Sequence, residues 1–95
     1  MFVSVLSYKR AISREEPLFL AHRAFIEEHI SASELLCSGP RTGANGGVVI
    51  AYGDDEAQVR AMLDGDPFIR EGVASYELHQ FTVGLLDPAS TLAAR

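Results

Sequence analysis

Two hydrophobic periods alternate along the chain, and the switches between them mark its elements. Phe2 to Tyr8 is a run of β-branched and aromatic residues bounded by Lys9 and Arg10, which predicts a strand. The period then lengthens. Ser13 or Arg14 opens the next segment, Glu15 and Glu16 fall in a first turn, and Pro17 suits an early helical position, so a helix is expected from about Glu15 to Ile30. At about 100° per residue, Leu18, Phe19, Phe25, Ile26 and Ile30 share one face with His22 and His29, while Leu20, Arg23 and Glu27 point away. Leu35 to Ser38 form a brief second strand that stops at Gly39-Pro40. Residues 39–47 contain four glycines and the favoured turn dipeptide Asn45-Gly46, which predicts a loop joining two antiparallel strands. Val48 to Tyr52 is a third strand. Gly53-Asp54-Asp55 caps a second helix bearing Val59, Met62 and Leu63, and Gly65 ends it. Asp66-Pro67 reads as the N-cap and first residue of a short helical turn closed by Gly72. Val73 to Val83 supplies a fourth strand, and residues 87–95 read as a loose tail.

The order β-α-β-β-α-β is that of a ferredoxin-like α+β fold, a four-stranded antiparallel sheet with both helices on one face, formed by a single domain over residues 1–95. Adjacent apolar positions in strands one and three (Val5 and Leu6, Val49 and Ile50) indicate that both faces of the sheet want burial. The helices cover one, and a homodimer paired through the other face is expected. Element directions also bring Ser7, Tyr8, His22, Ser38, Gly39, Pro40 and Asp66 to one edge of the sheet.

Composition narrows the function classes. The 95 residues carry 13 acidic and 8 basic side chains, a net charge of −5, and the basic residues are scattered apart from Lys9-Arg10. No nucleic-acid partner is expected. The acidity argues less against an anionic small molecule, because a pocket edge can differ in sign from the whole surface. No apolar run approaches the roughly 20 residues of a membrane span, the amino terminus lacks the basic flank of a signal peptide, and one cysteine makes no internal disulfide. A cytoplasmic protein without membrane contact is the expectation.

The chemistry converges on two residues. His22 lies at the centre of an apolar helix face, where a histidine either finds a partner or stays neutral. Asp66 arrives at the same edge. A carboxylate bound to one ring nitrogen would set the tautomer and leave the other nitrogen as a base, a His-Asp dyad able to move a proton on a small molecule. The competing reading is a satisfied core histidine beside an aspartate that only caps the Pro67 turn. His29 sits two turns further along the helix and reads as structural. His79 in strand four has no assigned face, and Cys37 is a lone thiol without a basic neighbour. Arg41 in the 39–47 loop could meet an anionic ligand, with a solvated loop arginine as the default reading. The glycine-rich loop lacks the spacing of a phosphate cradle, and no set of side chains has metal-ligand spacing, so neither a cofactor nor a metal is expected.

Ala21-His22-Arg23-Ala24-Phe25, Glu34-Leu35-Leu36-Cys37-Ser38-Gly39-Pro40, Asp66-Pro67-Phe68 and Gly72-Val73-Ala74-Ser75-Tyr76-Glu77-Leu78 stand in the order and spacing of a known family. Over nearly the whole chain the sequence resembles the YciI-like (YCII-related) proteins. The resemblance implies a ferredoxin-like subunit of a dimeric α+β barrel, similar to muconolactone isomerases, with a catalytic pair at His22 and Asp66 and a pocket lined at Gly39-Pro40. A related enzyme removes chloride from a chlorinated hydroxyhydroquinone. The expected function is thus a cofactor-independent, lyase- or isomerase-like enzyme that transfers a proton on a small cyclic or aromatic substrate, with Tyr8, Ser38, Gly39 and Pro40 as binding residues. The alternatives are a non-catalytic metabolite-binding or accessory dimeric module, and a purely structural dimer.

Overall fold

The computed structural model describes residues 1–90. Strand β1 (Phe2–Tyr8) leads to helix α1 (Pro17–Ser31), strands β2 (Leu35–Pro40) and β3 (Gly46–Ala51) form a hairpin, helix α2 (Glu56–Leu63) runs into a single turn α3 (Pro67–Arg70), and β4 (Ala74–Gln80) closes the sheet. The strand order is β2-β3-β1-β4 with every pairing antiparallel. This is the expected ferredoxin-like α+β topology, with α3 as the short turn begun by Asp66-Pro67.

Strict alternation sorts the sheet. Phe2, Ser4 and Leu6 of β1 and Val49 and Ala51 of β3 are buried towards the helices, joined by Leu35, Ala74, Ile26, Val59, Leu63 and Phe68. Val59 and Leu63, four residues apart, are the buried stripe of α2. The other parity, Val3 opposite Ile50 and Val5 opposite Val48, places four half-buried aliphatic side chains together on the face no helix covers. On β4 the same face carries Ser75, Glu77 and His79, so it is apolar at the centre and polar along one edge.

The element ends differ from expectation in instructive ways. α1 begins at Pro17, with Glu16 as an extended N-cap whose side chain makes no cap bond, because that carboxylate is taken by Arg10. Ile30, placed on the buried face by periodicity, is 41% exposed. The helix ends one residue later, and Ser33 in the left-handed region (φ 60°) turns the chain into β2. The hairpin loop is residues 41–45 only. Gly46 and Gly47 are strand residues, required by close approach rather than by a turn: a Cβ on Gly46 would lie 2.0 Å from the Leu6 carbonyl oxygen, and one on Gly47 would lie 3.0 Å from the Tyr8 hydroxyl. β4 ends at Gln80, which pairs with Phe2, and the Phe81 amide adds one further bond to the Met1 carbonyl at 3.0 Å. Of the expected tail, Asp87–Ser90 form a turn in which the Asp87 carboxylate accepts from the Ala89 amide at 3.0 Å. The remainder, 91–95, lies outside the described residues.

Candidate functional site

The end of β1, the loop after it, the first three turns of α1 and the end of β2 enclose a cleft of about 340 Å³. That volume suits a small molecule. Tyr8 comes from β1, Ile12 and Arg14 from the loop, Ser38, Gly39 and Pro40 from β2, and Gly46 from the facing strand. α1 contributes Phe19, His22, Arg23, Ile26 and Glu27, which share one side of the helix by their three- and four-residue spacing.

His22 is nine-tenths buried, and the reason it can be is Asp66. Its Nδ1 lies 2.8 Å from Asp66 Oδ1 and 2.9 Å from Oδ2. A carboxylate only accepts, so the bond network assigns a proton to Nδ1, and in the neutral tautomer Nε2 then carries the lone pair. His22 lines the cleft and Asp66 does not, so the ring turns its free edge towards the cavity. Phe68, fully buried, stacks on the imidazole with centroids 4.0 Å apart and planes 1° from parallel. Tyr8 meets Phe68 edge-on at 5.4 Å, and Phe19 tilts against the imidazole at 6.4 Å and against Phe68 at 6.5 Å. The imidazole is thereby held at a single orientation by packing on its face and hydrogen bonding on its edge.

Asp66 itself is positioned by its role as N-cap of α3, where Oδ1 also accepts the Phe68 amide at 2.9 Å. One carboxylate thus both caps α3 and meets His22 Nδ1. Tyr8 carries the electrostatic imprint of the pair. Burial, and then the nearby Asp66 charge, push its phenol above its usual range, so it remains a neutral hydrogen-bond donor at the cleft wall throughout the physiological range.

The edge predicted from element directions is thus assembled, with Tyr8, His22, Ser38, Gly39 and Pro40 on the cleft and Asp66 directly behind His22. Ser7 is the exception: it alternates to the uncovered face of the sheet and meets Arg41 Nη1 at 3.5 Å. Arg41 also donates to the Leu6 carbonyl at 3.4 Å and lies away from the cleft. His29 pairs with Glu34 at 3.1 Å and packs on Phe25 at 4.3 Å, tying the end of α1 to the start of β2. His79 is exposed on β4, 3.7 Å from Glu77, and Cys37 is exposed. Among the described residues no three His, Cys, Asp or Glu side chains group as metal ligands would, and no helix is long and apolar enough to cross a membrane.

Several lining residues were not singled out by the sequence. Arg23 and Glu27, assigned to the outer face of α1, form its rim, joined at 3.0 Å. Ile12 and Arg14 reach the cleft by loop geometry that no period encodes. Phe68, stacked on the imidazole behind the lining, was visible only as the residue that follows Asp66-Pro67.

The family model of the YCII-related domain matches residues 1–82, which include every residue of the cleft. The chain belongs to the YCII-related domain family. Among solved structures, this YCII-related domain is similar to the 5-chloro-2-hydroxyhydroquinone dehydrochlorinase of Burkholderia phenoliruptrix AC1100 in complex with 2,5-dihydroxybenzoquinone. The TM-score is 0.63 with 19% identity, covering 88% of this chain and 96% of that one, a likeness that establishes the shared fold. No curated protein sequence matches the chain significantly.

Proposed function

We propose that this YCII-related domain is a cofactor-independent enzyme of the lyase or isomerase kind, acting on a small oxygenated ring. The observation that carries the reading is the buried His22–Asp66 pair, 2.8 Å apart, with the imidazole edge on a cleft of small-molecule size. In this reading Nε2 of His22 takes a proton from the bound ring, and the Asp66 carboxylate stabilises the imidazolium that forms. The electron pair released either relocates within the ring, with the proton returned at another position, or expels a leaving anion. Charge developing on a ring oxygen would be met by the Tyr8 or Ser38 hydroxyl, with Gly39 and Pro40 closing the pocket beside them. The similar fold of a dehydrochlorinase with a dihydroxybenzoquinone bound supports the choice of substrate class.

The test is a screen of quinol, catechol and lactone substrates, including chlorinated hydroquinones, with wild type and His22→Ala. Turnover that falls by a factor of about 10² or more in the variant is expected for loss of a general base. Equal turnover by both would remove His22 from the mechanism. Ligands that bind in a His22-dependent way and are never converted would instead leave a metabolite-binding module.

We infer further that a second copy of the chain covers the open face of the sheet. The aliphatic group Val3, Val5, Val48 and Ile50 supports this, as do the exposed Phe81 and Val83 that follow β4.

A further inference from the structure

Arg14 is the cationic group of the cleft that has no anion of its own. It lines the cavity from the β1–α1 loop and makes no hydrogen bond or ion pair among the described residues. The other arginine on the rim, Arg23, is committed to Glu27, which is also the only carboxylate among the lining residues. Asp66 sits behind His22 and is taken up by Nδ1 and the Phe68 amide. Glu15, next to Arg14 in the chain, is held by the Ser13 hydroxyl and does not line the cavity; its carboxyl is kept below the usual range first by that hydroxyl and only last by Arg14. The cleft of a protein with net charge −5 therefore presents one uncompensated positive charge.

The loop that carries Arg14 is braced. Arg10 grips Glu16 through two bonds, Nη2 to Oε1 at 2.8 Å and Nη1 to Oε2 at 3.0 Å, and the Ser13 amide donates to the same carboxylate at 2.6 Å. Asn45 donates from the hairpin loop to the Arg10 carbonyl at 2.9 Å. Residues 11–15 are thus closed off at both ends, and Ile12 and Arg14 are delivered to the cleft by a fixed loop rather than a free one. The same cavity is lined by the apolar and aromatic side chains of Tyr8, Phe19 and Ile26. Such a lining suits an apolar ring, and the exposed planar guanidinium of Arg14 suits a planar carboxylate.

Resting on the reading of this cleft as the substrate site, we propose that its ligand is a small ring compound bearing an ionised carboxylate, and that Arg14 is the specificity-determining residue that holds that group. The carboxylate takes two N–H donors from Arg14 at the mouth and the ring lies inward, with His22 Nε2 at its far side.

The experiment is an NMR titration of the isotopically labelled full chain with two matched probes, 2,5-dihydroxybenzoate and 2,5-dihydroxybenzamide, at neutral pH. Wild type is expected to bind the carboxylate roughly tenfold more tightly than the amide, with shifts centred on Phe19, His22 and Ser38. Arg14→Gln is expected to bring the two within about twofold, and Arg14→Lys to retain part of the preference, since it keeps the charge and loses the planar fork. Equal affinities in wild type, a preference that survives Arg14→Gln, shifts centred away from the cleft, or no binding of either probe would each overturn the proposal. No turnover enters these titrations, so they are independent of the proton-transfer reading. A failed substrate screen beside an Arg14-dependent preference removes catalysis alone; His22-dependent turnover without that preference removes the carboxylate alone.

Discussion

Asp66 carries its two duties on nearly the same oxygen, and this makes the roles separable by substitution. Asparagine at 66 keeps an acceptor for the Phe68 amide and for Nδ1–H while removing the charge that stabilises an imidazolium. Asp66→Asn is expected to change stability by no more than about 1 kcal/mol and to lower turnover by a factor of about 10² or more. Asp66→Ala removes the cap and strands a buried N–H, and is expected to cost about 2–4 kcal/mol in denaturant unfolding. Full activity in Asp66→Asn would leave the residue a cap only. Tyr8 supplies a pH signature. Its phenol is raised in the fold above 10.0, so folding favours the protonated form. That contribution is complete below the unfolded value of about 10 and is lost as the pH rises through the higher folded one. Stability above about pH 10 should then decline more steeply in wild type than in Tyr8→Phe, and parallel declines would contradict the stated environment. At this scale the sequence revealed which residue types converge. It did not reveal Phe68 beneath the imidazole or Arg14 at the mouth, because those contacts arise where a one-turn helix and an irregular loop close on α1.

Among elements, the β2–β3 hairpin shows how a correct element can rest on a misplaced signal. Asn45-Gly46 indicated the turn, and there is a turn at 41–45, yet Gly46 is kept small by the neighbouring strand and not by the loop: it stands opposite Ser7 with the Leu6 carbonyl where a methyl would go. Gly46→Ala is expected to push β1 and β3 apart at the end that carries Tyr8 and to destabilise by about 3 kcal/mol. Gly39→Ala meets nothing within 4 Å and is expected to stay within about 0.5 kcal/mol of wild type. Similar midpoints for both variants in thermal or urea unfolding would refute the packing argument. The β-α-β-β-α-β order was legible because the central strands alternate and helix starts carry local signals, Pro17 for α1 and, for α2, Asp55, which accepts from the Ala57 and Gln58 amides. Element ends were less legible. They depend on neighbouring strands rather than on a segment's own period, as Gly46 and Gly47 extend β3 where Leu6 and Tyr8 approach it.

For the whole molecule, the question is the uncovered face of the sheet. Val48 lies half-buried opposite Val5 in the middle of that face. If a second copy packs there, light scattering should give twice the chain mass of 10.3 kDa across dilution, and Val48→Lys should give a folded monomer, because the lysine is tolerated in water and excluded from an apolar interface. A wild type that is monomeric at all concentrations would end the dimer reading. Were the pair to form, the cleft would remain on the helix side of the sheet, so loss of dimerisation and loss of binding are separately measurable.

The sequence by itself determined the order of elements, the antiparallel ferredoxin-like sheet and the meeting of His22 with Asp66 at one edge, because alternation, helical period and capping are local properties and the topology then leaves few arrangements. Only the tertiary structure decided which atoms meet: that Nδ1 is the nitrogen engaged, that Phe68 stacks beneath the ring, that Ser7 turns away while Tyr8 turns in, and that Arg14 stands unpaired at the mouth. Those outcomes follow from packing between segments far apart in the chain, where shifts of a few ångströms decide the partner and no single segment carries the information.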